Sequence, residues 1–186
     1  MIRCEGDRAI ARAYDKLNAE IDYRAWADRI EAAFDRFLPA RPELVLDLAC
    51  GTGRMTELLA DAGYDMFGVD ASEELLELAC EKRAGSGHDI LYLLQDMREF
   101  ELYGTVRAVI SACDSVNYIT DDEDLTEVFR LVNNYLDPEG LFVFDFNTEY
   151  KYREILGEQT IAEDREECSF IWDNYYDKDE RINEYE

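Results

Sequence analysis

Two glycines, Gly51 and Gly53, follow an apolar run that ends in Asp47 and precede a segment with helical spacing. A glycine turn between a strand and a helix lets a ligand approach the backbone closely. Such turns commonly cradle phosphate, but Asp47 would set a negative charge beside it and oppose binding. The dinucleotide fingerprint G-x-G-x-x-G also fails here, because Thr56 takes its last place. A cationic ligand without phosphate reverses the argument, since Asp47 then attracts it. Asp70 closes "GVD", nineteen residues after Gly51. A carboxylate there can accept hydrogen bonds from both hydroxyls of a ribose. Its plainer role is an acid at the start of the next helix. Asp96, in "LLQDMREF", can accept from an adenine amino group. Met97 can offer its backbone N–H to a ring nitrogen and its thioether to the ring face.

These residues need elements to position them. Tyr23, Trp26, Ile30, Phe34 and Phe37 recur at helical spacing within a helical stretch from Asp7 to Leu38, which Pro39 and Pro42 end. The pattern then alternates. Strands are predicted at 44–49, 65–69, 90–94, 106–111 and 141–146, the last after a "DPEG" turn. Helices are predicted at 55–62, from Glu73 to about Lys82 behind the cap Ser72, and from "TDDED" to about Leu136. Strand–helix alternation with short connections gives an α/β fold. Its form is a Rossmann-like, doubly wound, mostly parallel sheet with helices on both faces. The expected organisation is a helical cap over 1–38, a core over 39–148 and an antiparallel hairpin or lid over 149–186. The loops after the strands, at their carboxyl ends, form the binding rim. S-adenosylmethionine, which carries an ammonium and a sulfonium and has no phosphate, fits a carboxylate at the end of the first strand.

With those motifs in order, the chain resembles the class I S-adenosylmethionine-dependent methyltransferases of the small-molecule, methyltransferase-domain type. The resemblance rests on "DLACGTG" (47–53), "GVDAS" (68–72), "QDMREF" (95–100), "ACDSVNYI" (112–119) and "GLFVFDFNT" (140–148). "YDKLN" at 14–18 resembles the amino-terminal segment of many bacterial members. The resemblance implies that Asp47, Ala49, Gly51 and Gly53 line the methionine part of the cofactor. It assigns Asp70 with Ala71 to the ribose and Asp96 with Met97 to the adenine. Cys113 or Asp114 would stand near the methionine amino group and the transferred methyl, and Tyr14 would close over the cofactor. Ala49 departs from the glycine that many members carry, though alanine is common there too. Asp114, Asn117, Tyr118, Asp145 and Asn147 lie on the loops after the fourth and fifth strands, where an acceptor should stand; no general base among them is singled out. The implied product is S-adenosylhomocysteine.

Composition narrows the partners. The chain has 186 residues with 44 acidic and 19 basic side chains, a net charge of −25. That field repels nucleic-acid phosphates and anionic membranes. The loop after the fourth strand, "SACDSVNY", also lacks the Asn/Asp-Pro-Pro-aromatic signature of amino-methyltransferases that act on bases. A small-molecule acceptor is expected, with no nucleic-acid or membrane partner. Cys4, Cys50, Cys80, Cys113 and Cys168 are scattered and His88 is the only histidine, so no metal site is expected. Scattered cysteines and the absence of an apolar leader suggest a cytoplasmic protein. The aromatic tail, with Phe170, Trp172, Tyr175 and Tyr176, reads as hairpin packing, as a lid, or as a seam for a homodimer. It stops in what reads as a strand, as a truncated chain would. Two other functions remain open at this point: a non-catalytic module that binds the cofactor or a partner, and a nicotinamide-dependent oxidoreductase.

Overall fold

The structure is a computed structural model that describes residues 15, 18, 20–164 and 169–185. The chain divides into two compact units, one running to Asp145 and the other starting at Phe146.

The first unit opens with α1 (Tyr23–Phe37), where Asp22 caps the helix by accepting from the Ala25 N–H at 2.9 Å. Its stripe of Ala27, Ile30 and Phe34 is buried. These residues share one cluster with Val45, Leu59 and Ile110, so the helix packs on the core. Five strands follow: β1 (Leu44–Leu48), β2 (Asp65–Asp70), β3 (Leu91–Leu94), β4 (Val106–Ser111) and β5 (Leu136–Phe144). Between them run α2 (Arg54–Asp61), α3 (Glu73–Ser86) and α4 (Asp122–Tyr135). The order is β3-β2-β1-β4-β5, and every pairing is parallel. β1 lies in the middle, with Leu46 opposite Phe67 on one side and Val109 on the other. Successive β1 residues serve opposite faces: Val45 packs toward α1 and α2, and Leu46 and Leu48 pack toward α4 with Val128 and Leu131. Strand order reverses between β1 and β4, so the crevice forms at the carboxyl ends of these two strands.

β5 differs from the sequence expectation at both ends. "DPEG" does not end before the fifth strand but lies within it: Val106 pairs with Leu136, and Ala108 pairs with Leu141. The surplus residues make a bulge in which Glu139 takes φ 61°. An edge strand tolerates this, because Pro138 has no N–H to give to a ladder. The strand then stops at Phe144 rather than 146.

The second unit holds a single π-helical turn (Lys151–Leu156) and an antiparallel sheet of β6 (Gln159–Asp164), β7 (Ser169–Asp177) and β8 (Ile182–Tyr185). The expected hairpin is β7 and β8. Asp177 forms its turn by accepting from the N–H groups of Asp179 and Glu180 at 2.8 and 3.0 Å. β6 adds a third strand, which was not legible in the sequence. Buried Asn174 ties this unit together: it donates to the Gly157 carbonyl and accepts from Asn183 at 2.8 Å.

Gly68, in the middle of β2, marks how tightly the strand meets the loop after β1. A Cβ there would stand 2.6 Å from Cys50 Sγ and 2.8 Å from Tyr92 Cδ1. Gly68→Ala is therefore expected to destabilise the chain by about 2 kcal/mol through overpacking, read as a lower urea midpoint with an unchanged slope.

Candidate functional site

β1 delivers Asp47 to the carboxyl edge of the sheet. The residue is 2% exposed. Its Oδ2 accepts from the Thr56 hydroxyl at 2.6 Å, from the first turn of α2. Burial pushes the Asp47 carboxyl up to about 7; Thr56 pulls it down and nearby Asp70 adds to the rise. A cation arriving beside it would favour the ionised form. Thr56, which stands where a dinucleotide site has glycine, is thus the partner of the unusual carboxylate.

The turn from β1 into α2 is built from left-handed residues: Ala49 at φ 63°, Gly51 at 55° and Gly53 at 74°. A Cβ on Gly51 would meet nothing within 4 Å, so the backbone here borders open space. Asp70, the last residue of β2, holds this turn. Its Oδ2 accepts from the Gly51 N–H at 2.7 Å and its Oδ1 from the Ser72 N–H at 2.9 Å. Burial raises its pKa, and the backbone N–H groups of Ser72, Gly51 and Ala71 oppose the rise. Ser72 caps α3 through a 3.2 Å bond from Leu75.

Across the crevice, Cys113 and Asp114 are consecutive non-glycine residues at φ 61° and 54°. Such conformations cost on the order of 1–2 kcal/mol each and persist only where surroundings enforce them. The Asp114 N–H is held at 2.9 Å by Asp145 Oδ2, at the end of the first unit. The Cys113 thiol is pushed up to about 12 by burial and then by Asp145, Asp114 and Asp47. It is a neutral thiol at ordinary pH. The next residues form a short 3-10 turn (Ser115–Tyr118), in which the Asn117 N–H bonds the Asp114 carbonyl at 2.9 Å and Tyr118 is exposed.

A cavity of about 40 Å³ opens between the two loops. Asp47, Ala49, Gly51 and Cys113 line it, together with Tyr23 and Arg54. The last two were missed as site residues. Tyr23 reads as one more member of an apolar helix face, and Arg54 falls just ahead of the expected helix at 55–62. Their ring and guanidinium stack at 4.5 Å. Burial is the main reason that the Tyr23 phenol rises to about 12.

Other expected residues lie elsewhere. Asp96 engages Arg98 through both oxygens, at 2.6 Å in the ion pair, and Arg98 holds its carboxyl below the usual range. Met97 is 8% exposed and packs in the core with Phe100 and Val69, which makes packing its thioether's first task. Asn147 belongs to the second unit, where it accepts from Lys151 at 2.8 Å. Tyr14 lies outside the described residues. His88, in the loop after α3, pairs with Asp61 at 2.7 Å. Among the described residues no group of side chains has metal-binding geometry, and no helix is long and apolar enough to cross a membrane.

Comparison with known proteins bears on the family and the fold. The family described as "Methyltransferase domain" matches residues 45–140. The putative methyltransferase YqeM of Bacillus subtilis (strain 168) is 38% identical over 174 residues, which cover 93% of this chain and 68% of that protein. The crystal structure of an S-adenosylmethionine-dependent methyltransferase from Clostridium acetobutylicum superposes with a TM-score of 0.82 at 33% identity, over 92% of this chain and 70% of that one. A dTDP-3-amino-3,4,6-trideoxy-alpha-D-glucopyranose N,N-dimethyltransferase from Streptomyces venezuelae is 32% identical over 124 residues, 67% of this chain and 50% of that protein.

Proposed function

The chain belongs to the class I S-adenosylmethionine-dependent methyltransferases, and on that premise we propose that it methylates a small molecule, using the crevice between β1 and β4. The observation that carries the site assignment is the buried Asp47 carboxylate beside the open face of Gly51. That pairing suits a cationic adenosine cofactor and disfavours a pyrophosphate. In this reading Asp47 with Ala49, Gly51 and Gly53 holds the methionine part, and Asp70 with Ala71 the ribose. Asp96 and the main chain of Met97 face the adenine, and Cys113 borders the reacting end. Asp114, Asn117 and Tyr118 are the residues of the first unit proposed for the acceptor.

S-adenosylmethionine, when bound, supplies a methyl carbon activated by its sulfonium. The protein's work is then to align the acceptor and exclude water. Tyr23 and Arg54 supply cover over the crevice. Tyr23 and Cys113 keep their protons at ordinary pH, so neither presents a competing anionic nucleophile. A small-molecule acceptor is supported by the net charge of −25, which repels polyanions, and by the aminosugar dimethyltransferase among the relatives.

Calorimetric titration with S-adenosylmethionine, S-adenosylhomocysteine and NAD tests the site. The first two should bind and NAD should not; NAD binding alone would overturn the reading. Incubation with labelled cofactor and a panel of amino sugars, small amino acids, quinols and oligonucleotides tests the acceptor. Label on oligonucleotides alone would refute the small-molecule assignment.

A further inference from the structure

The glycine turn has a joint on each side of Thr52, because Gly51 and Gly53 both take left-handed backbone that glycine adopts freely. Left to itself, the peptide between two such joints would reorient easily. The structure pins it at several points. The Gly51 N–H is fixed by Asp70 at 2.7 Å, and the Gly53 N–H by the Cys50 carbonyl at 2.9 Å. Thr52 itself is held at both ends from outside the turn. Its hydroxyl donates to Asp15 Oδ1 at 2.6 Å, and its carbonyl accepts from Lys82 Nζ at 2.8 Å. Lys82, on α3, also pairs with Asp15 Oδ2 at 2.5 Å, which closes the ring. Asp15 lies eight residues ahead of α1 in the sequence.

We propose that Asp15 is a positioning residue for the cofactor turn: with Lys82 it holds Thr52 so that the turn keeps its binding form. Three features support this. Thr52 is 2% exposed, so its hydroxyl has little access to water and relies on Asp15. The Asp15–Lys82 pair is only about a third exposed on each side, so solvent screens it less than a surface pair. In a chain with 44 acidic side chains against 19 basic ones, an acid gains little from general surroundings and depends on a particular cation. The contact reaches the ligand cover as well. Arg54 Nη1 donates to the Asp15 carbonyl at 3.3 Å while its guanidinium stacks over Tyr23, and both Arg54 and Tyr23 line the crevice. Asp15 thus does for Thr52 what Asp70 does for Gly51.

The proposal rests on the cofactor reading of the crevice, so the 186-residue chain must first bind S-adenosylhomocysteine; failure there overturns that reading. Given binding, Asp15→Ala and Lys82→Met are each expected to weaken affinity about tenfold, mostly through faster dissociation, while the melting temperature stays within about 3 °C of the parent. Asp15→Asn, which keeps an acceptor for Thr52 but loses the charge, should fall between Asp15→Ala and the parent. The double variant Asp15→Ala/Lys82→Met should be no weaker than either single one, because one ring is broken in each case. Unchanged affinity and dissociation rate in Asp15→Ala, or fully additive losses in the double variant, would overturn the positioning role. So would a loss of affinity that merely follows a large fall in melting temperature in all three single variants.

Discussion

Asp70→Ala is expected to weaken S-adenosylhomocysteine binding by about two orders of magnitude. The two oxygens of Asp70 each accept one backbone N–H, from Gly51 and Ser72. A carboxylate offers about four acceptor directions, so each oxygen retains capacity for one ribose hydroxyl. Hydrogen bonds to a charged acceptor contribute roughly 1.5–3 kcal/mol each, and losing two amounts to at least 100-fold. Alanine also leaves the Gly51 and Ser72 N–H groups without their partner, in a position where Asp70 is largely shielded from water. Stability should therefore fall by about 1–3 kcal/mol. Asp70→Asn separates the two effects. Its amide oxygen can serve one N–H, while its NH₂ faces the other donor, so both stability and affinity should fall between alanine and parent. Calorimetry at a temperature well below every melting transition reads the binding loss cleanly. Undiminished affinity in Asp70→Ala would remove the ribose assignment and leave Asp70 as a brace for the turn.

The positions that sequence exposes well are those fixed by local chemistry. Asp47 and Asp70 could be placed on strands, and Gly51 and Gly53 in a tight turn, because apolar runs and glycine turns impose a place on each residue. The sheet was legible for the same reason: near-continuous apolar runs such as Leu44–Leu48 belong to strands buried on both faces. What escaped was set by partners distant in the chain. Thr56 looked like a failed fingerprint until Asp47 appeared at 2.6 Å. Arg54 and Tyr23 meet only when α1 packs beside the glycine turn. Asp15 finds Thr52 across 37 residues and Lys82 through the fold of α3. The bulge in β5 was hidden because "DPEG" has ordinary turn chemistry; only its place at a sheet edge lets the strand continue through it. In Met97 the core claimed a side chain that its motif suggested for a ligand.

Asp47→Asn is expected to make the protein more stable and a poorer binder, with both effects growing as pH rises. The sign follows from proton linkage. Burial lifts the Asp47 pKa from 3.8 to about 7 in the folded chain. Between those values the folded state keeps a proton that the unfolded state has released. The stability this proton represents is fully present below about pH 4 and is lost as pH rises to about 7. A shift of this size is worth on the order of 4 kcal/mol. Asparagine never ionises, and its amide oxygen can still accept from Thr56. The variant should thus match the parent near pH 4 and exceed it by a few kcal/mol at pH 8, less what the charged Thr56 bond contributed. Comparing parent and variant cancels the background from the other acids. Binding should move the other way. A cationic cofactor draws on the ionised carboxylate, so parent affinity for S-adenosylmethionine should climb toward pH 7 and level above it, while the variant stays flat and weaker by about tenfold or more at pH 8. Urea unfolding and calorimetry at pH 5, 6, 7 and 8 read both curves. Parallel pH profiles in parent and variant would show that Asp47 does not titrate in this range. A buried carboxylate that destabilises its own fold at working pH is explained if a bound cation supplies the missing partner.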